Sequence, residues 1–427
     1  MNIEKIEFDH IDETMYQYTH KSGLQAFVIP KKGYSKKYAT FATHFGSINS
    51  EFIIPGTNQP LKVPDGVAHF LEHKLFDQKD GSVMDKFAKL GSNPNAYTGF
   101  NQTVYLFSCT ELFQENFTLL LNYVQNPYIT EESVEKEKGI IGQEIKMYED
   151  NPNWRAFFNL LKAMYKQNPV RADIAGTIES IGRINKDTLY KCYNTFYDPS
   201  NMVILIVGDV DPVQAFEMVE NGIVKEKGSG DIKRIFPKEE SGINESFVEQ
   251  ALAVSLPLFQ MGFKEIQFNP RGKYSLMYET AVKLLLNMIM GKSSELYDRL
   301  YTEGLINNTF ETDYTIEENY AFSIFGGESQ NPERVRSLIS DEIRAIQARG
   351  LDETVYERIK KAMKGRFLKQ LNSVEGISHM FIPAYFKSAN MFDYYDVYDK
   401  ISFKYVKDTF LRHFDLDRLV LSVVKPV

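Results

Sequence analysis

The sequence predicts an α+β protein made of two related domains, and three observations carry that expectation. Strand-like and helix-like segments are mixed along a chain of 427 residues, too long for one ordinary domain. A glycine-bearing, charged stretch, Val224 to Asp231 followed by Lys238 to Gly242, divides it near the middle. The stretch ending in Tyr197-Asp198 and the strand Met202 to Val207 can be laid over the one ending in Phe414-Asp415 and Leu419 to Val424 at an offset of 217 residues without gaps. The expected organisation is an N-terminal domain over 1–225, a linker over 226–245 and a C-terminal domain over 246–427.

Taken in order, Leu24 to Ile29 and Tyr38 to Phe45 are rich in β-branched or aromatic residues and bounded by turn formers, so both read as strands. A proline-bearing loop is expected from Pro55 to Pro64. Val67, Phe70, Leu71 and Leu75 then have helical spacing, and Ser82 is placed to cap a following helix through Leu90. Thr103 to Cys109 reads as a strand. Glu111 to about Lys166 reads as helices broken at Pro127 and at Asn151-Pro152. Thr130-Glu131-Glu132 opens one of these, and Asp352-Glu353-Thr354 opens its counterpart in the second half.

Composition excludes several classes. With 43% hydrophobic and 25% charged residues the chain is globular rather than disordered. A net charge of −8 argues against a nucleic-acid binder. The longest apolar runs fall far short of the ~20 residues a membrane helix needs, and the polar, acidic opening Met1 to Glu7 is not expected to be a secretory signal. Cys109 and Cys192 sit in hydrophobic patterns and read as reduced core residues, so a cytoplasmic location is expected. Gly291-Lys292-Ser293-Ser294 lacks the upstream glycine and preceding strand of a phosphate loop.

The informative stretch is His69-Phe70-Leu71-Glu72-His73, which holds two of only seven histidines. Residues four apart share a helix face, so both imidazoles can bind one metal ion, with the Glu72 carboxylate on the flank as a general base. This is H-x-x-E-H, the inverse of the H-E-x-x-H zinc-peptidase helix. An open catalytic zinc site needs a third protein ligand. Glu137 and Glu144, seven residues apart on one helix face, are candidates: one for the metal, the other to support a ligand imidazole.

These residues resemble the pitrilysin/insulinase/mitochondrial processing peptidase family. The likeness includes Gly66 and Ala68 beside the histidine motif, and Gly91-Ser92 followed by Asn95-Ala96-Tyr97-Thr98. It also includes Tyr105 and the Glu137/Glu144 pair. The resemblance implies His69, His73 and Glu144 as ligands of one Zn²⁺ per chain, Glu72 as general base and Glu137 as a supporting acid. It implies that Asn95, Ala96, Tyr97 and Thr98 lie at or beside an edge strand that pairs with substrate backbone. The implied fold is two homologous domains, each an antiparallel-rich sheet covered by helices, together forming half of a clamshell. The implied activity is zinc-dependent hydrolysis of short or unfolded peptides in an enclosed chamber.

The second half departs from the first. Ile359 and Arg366 stand where the two glutamates would fall, as the family's metal-free C-terminal domain implies. That domain normally supplies an Arg and a Tyr to the substrate and its tetrahedral intermediate. Here Tyr301 and Asn307 occupy those positions, and Arg299 is two residues away. The chain is therefore expected to be the zinc-bearing subunit of a heterodimer whose partner carries the Arg/Tyr pair, with a homodimer as the alternative. The rival from another class is a catalytically silent scaffold or peptide-binding subunit of the same fold.

Overall fold

A computed structural model describes residues 1–226, 228, 230–266 and 268–427; Lys227 and Ser229, within the expected linker, and Gln267 lie outside the described residues. The described chain forms two compact units. The first comprises 1–145, 172–236 and 370–386, and the second 146–171, 237–369 and 387–427.

The first unit is built on a seven-stranded sheet in the order Ile3–Phe8, Glu13–Thr19, Gln25–Pro30, Met202–Gly208, Lys37–Thr43, Thr103–Cys109 and Asn93–Thr98. Only Gln25–Pro30 and Met202–Gly208 are parallel neighbours among the described strands of this sheet. The Met202–Gly208 strand is buried along its whole length, which explains its unbroken apolar run. The second unit holds a five-stranded sheet in the order Phe247–Leu252, Leu419–Pro426, Leu258–Phe263, Ala321–Glu328 and Glu311–Ile316, with its first pair parallel and the rest antiparallel. These five strands repeat the order and directions of the last five in the first sheet. The α+β expectation and the relation between the halves both hold.

Each unit also takes one helix from the other half of the sequence. The Pro152–Met164 helix packs on the second sheet, where Ala156 joins Leu258 and Val424 in a core cluster and Asn159 Nδ2 donates to Gln250 Oε1 at 2.8 Å. The Val374–Phe386 helix packs on the first sheet, with Phe381 and Phe27 ring centroids 4.9 Å apart and Phe386 stacked on His44 at 4.7 Å.

Local signals place most boundaries. Ser82 Oγ accepts from Met84 N at 3.2 Å and caps the Val83–Lys89 helix. Thr130 and Ser133 exchange side-chain and backbone hydrogen bonds, each 3.1 Å, at the start of the Glu131–Glu149 helix; Asp352 Oδ1 accepts from Thr354 N at 2.7 Å in the counterpart. Asn151 caps the Pro152–Met164 helix, whose first residue tolerates proline because that N–H has no helical partner. The expected 55–64 loop differs: Pro60–Lys62 pairs with Glu51–Ile53, which in turn pairs with Lys233–Arg234, in a small three-stranded sheet. Proline survives there because the strand is an edge.

Candidate metal centre

The histidines lie on the Val67–Phe76 helix, hereafter the His helix. It has no side-chain N-cap; Gly66 precedes it at φ 91°, and its carbonyl accepts from Phe70 N at 2.9 Å. A Cβ at Gly66 would lie 2.5 Å from the Ala175 carbonyl oxygen, so both the positive φ and the close approach require glycine. Ser180 Oγ donates to the Asp65 carbonyl at 2.8 Å, tying the same corner to the 175–180 segment. The helix buries Val67, Phe70, Leu71 and Leu75 together with His69 and Glu72.

The second contributor is the Glu131–Glu149 helix, the Glu helix. Val134, Glu137, Ile141 and Ile145 form its buried stripe, so Glu137 occupies a core position on an otherwise polar helix. Glu144, one residue before the end of that stripe, is half-buried.

The two helices bring the expected ligand atoms together. One atom each from His69, His73 and Glu144 lies within 4.8 Å of the others. His69 Nε2 is 3.6 Å from Glu144 Oε1, and His73 Nε2 is 3.5 Å from Glu144 Oε2. A tetrahedral zinc ion with bonds of ~2.1 Å separates its ligand atoms by about 3.4 Å, so these spacings fit one ion shared by the three side chains. They are also long for direct hydrogen bonds. Two nitrogens and one carboxylate, with a fourth position left for water, are the donor set of a catalytic zinc site.

Supporting contacts favour one histidine. His73 Nδ1 faces Glu137 Oε1 at 3.0 Å, which orients the ring so that Nε2 points to the ligand cluster. Burial opposes the charge of His73, but Glu137 and the Glu72 and Glu144 carboxylates outweigh it and hold its pKa above the usual value. Glu137 Oε2 lies 3.7 Å from the fully buried Lys74 Nζ, which also donates to the Ser133 carbonyl at 3.4 Å. His69 Nδ1 is buried and has no hydrogen-bond partner among the described residues.

Glu72 is not one of the three clustered ligands and is 8% exposed. Burial pushes its pKa up, with Glu144 adding to the rise and His69, Thr98 and His73 working against it. A raised carboxylate suits a group that takes a proton and later returns it. Its Oε2 accepts from Thr98 Oγ1 at 2.6 Å.

Asn95 to Thr98 lie within the Asn93–Thr98 strand, the last strand of the first sheet, with one side unpaired. Gly99 N donates to Gln102 O at 2.8 Å, and the register sets Thr98 opposite Thr103 and Ala96 opposite Tyr105. Antiparallel pairs alternate, so Ala96 and Thr98 direct their backbone N–H and C=O toward the free edge. The missing N–H of Pro94 faces the same way and costs the ladder nothing. Ala96 N is covered by Asn95 Oδ1 at 2.9 Å.

The second unit carries no such ligand cluster among the described residues. Ile359 is buried where Glu137 would fall, and Arg366 Nη2 bonds Asn287 Oδ1 at 3.1 Å. Tyr301 is 53% exposed and stacks on Tyr297, while Asn307 Nδ2 donates to Glu328 Oε2 at 2.8 Å. Arg299 pairs with Glu303 at 2.8 Å. The trio Glu265, His413 and Ser323 has triad-like separations of 2.9 Å, but its serine and imidazole are wholly buried. Ser323 Oγ also takes the Phe263 N–H at 3.2 Å, so the trio holds the core together rather than meeting a substrate.

The chain is similar to known proteins along its whole length. Residues 60–178 match the family described as Insulinase (Peptidase family M16), and residues 183–363 match the Peptidase M16 inactive domain. The chain is 42% identical to the uncharacterized zinc protease YmfH of Bacillus subtilis over 99% of each. Among solved structures, an M16-like peptidase from Alicyclobacillus acidocaldarius superposes with a TM-score of 0.93 at 33% identity, covering 100% of this chain and 99% of that one. The periplasmic protease PqqL from Escherichia coli shares the fold with a TM-score of 0.74 at 15% identity, covering 99% of this chain but 48% of that chain.

Proposed function

The chain belongs to the insulinase family, peptidase family M16, and on that premise we propose that it is a zinc-dependent endopeptidase acting on short or unfolded peptides. The observation that carries the reading is the convergence of His69, His73 and Glu144 within 4.8 Å, with Glu72 beside them and an open strand edge ending at Thr98.

His69, His73 and Glu144 would hold one Zn²⁺ per chain. A bound zinc ion lowers the pKa of water and polarises a carbonyl. Glu72 takes the proton of the attacking water and passes it to the leaving amine. Glu137 keeps the His73 ring in one orientation and tautomer. A peptide adds to the free edge of Asn93–Thr98, receiving hydrogen bonds from the backbone of Ala96 and Thr98 while Asn95 Oδ1 yields the Ala96 amide. Backbone pairing explains a preference for extended, unfolded substrates. The chain matches about half the length of PqqL, and Tyr301 and Asn307 replace the Arg and Tyr the family resemblance leads one to expect. Both points support a paired assembly in which a second family subunit supplies that pair, with a homodimer as the alternative.

Cleavage of an unfolded peptide should stop on chelation and return on adding about one equivalent of zinc. Cleavage indifferent to chelator contradicts the proposal. The missing Arg/Tyr pair favours a second reading, a silent peptide-binding scaffold, which would bind peptides without cutting them under any of these conditions.

A further inference from the structure

We infer that Thr98 is a positioning residue that couples the peptide-receiving strand to the general base. This inference rests on the peptidase reading above and adds a role for one hydroxyl that the ligand set does not require.

Thr98 sits at the end of the edge strand, where its backbone N–H and C=O face the free edge. Its side chain points instead to the His helix, and its Oγ1 donates to Glu72 Oε2 at 2.6 Å, a short, charge-assisted bond. Thr103, directly opposite across the hairpin, donates its own proton to the Phe45 carbonyl at 2.8 Å. The Thr103 oxygen therefore stands 3.3 Å from Thr98 Oγ1 as an acceptor and not as a competing donor. Thr98 has one proton and its nearest acceptor is Glu72. The fully buried Thr103 packs behind the hydroxyl without taking its proton, so the Glu72 carboxylate is set by the strand and not by its own helix alone.

One residue thus meets the substrate through its main chain and the general base through its side chain. A peptide that pairs with the edge orders the backbone of Thr98, and the hydroxyl carries that order to Glu72. Val fills the same volume without the proton, and Ser keeps the proton without the methyl group.

The test compares wild type, Thr98→Val and Thr98→Ser, each loaded with zinc and assembled with whatever subunit the active enzyme contains. In Thr98→Val, kcat should fall at least tenfold with KM within twofold and zinc content unchanged, and Thr98→Ser should recover kcat to within about threefold. Crystal structures of the three proteins supply a readout independent of turnover. Glu72 Oε2 should stay within 3 Å of the residue-98 hydroxyl in wild type and in the serine variant, and leave that position in the valine variant. A Thr98→Val protein with kcat within twofold of wild type, or with the Glu72 carboxylate unmoved, overturns the inference while leaving the peptidase reading intact. If no variant and no wild-type assembly cleaves peptide, the peptidase reading fails, and the Glu72 positions alone decide the role of Thr98.

Discussion

Replacing Glu72 with Gln is expected to lower kcat/KM on an unfolded peptide by about 10²–10⁴-fold while leaving zinc bound. The two halves of this expectation come from different parts of the site. Gln keeps the size of the side chain and retains an oxygen that can accept from Thr98 Oγ1, but it cannot take a proton. The three ligand side chains are His69, His73 and Glu144, so the substitution touches none of them. Steady-state kinetics and metal analysis on the same preparation check both halves. A variant within tenfold of wild type would remove Glu72 from the role of base, and a variant that loses its zinc would make it part of the metal site.

The second large effect concerns the partner. Addition of a family subunit carrying the Arg and Tyr that this chain lacks should raise kcat/KM by ~10²–10³-fold, the usual effect of one or two donors to a developing oxyanion. The expectation follows from Tyr301, whose exposed ring stacks on Tyr297, and from Asn307, which is spent on Glu328 and on the Thr309 amide at 2.9 Å. Neither offers the charge or reach of an arginine. Full activity in a purified homodimer, with no gain from such a subunit, would contradict the heterodimer.

Much of the site is legible from residue spacing. Two histidines four apart with an intervening glutamate define a metal-binding helix face from the sequence alone. Glu137 is readable in a second way, because positions 134, 137, 141 and 145 form the apolar stripe of the Glu helix and a carboxylate there must be buried and paired. Lys74 carries a similar signal, a lysine inside a helix turn that is otherwise buried, and residue spacing assigns it no role.

Other features are hidden for physical reasons. Asn93–Thr98 contains two asparagines and a proline, which depress strand propensity, yet it forms a strand because the Pro94 nitrogen faces the free edge and the opposite ladder is apolar. The contact of Thr98 with Glu72 joins residues 26 apart in sequence, and no local pattern reports such a pairing. The exchange of the Pro152–Met164 and Val374–Phe386 helices is equally invisible. Both occupy the same place in the repeat and both are apolar on one face. The pattern states that a face is buried, but two sheets that share five strands of one topology are available to bury it.

Whether His69, His73 and Glu144 hold a catalytic zinc ion is tested most directly by elemental analysis of the gently purified wild-type chain. A three-ligand site supported by Glu137 should retain its metal through dialysis. About one zinc per chain is the expected result. Less than about half an equivalent, with no other divalent metal in its place, would contradict it and leave the fold to the silent scaffold.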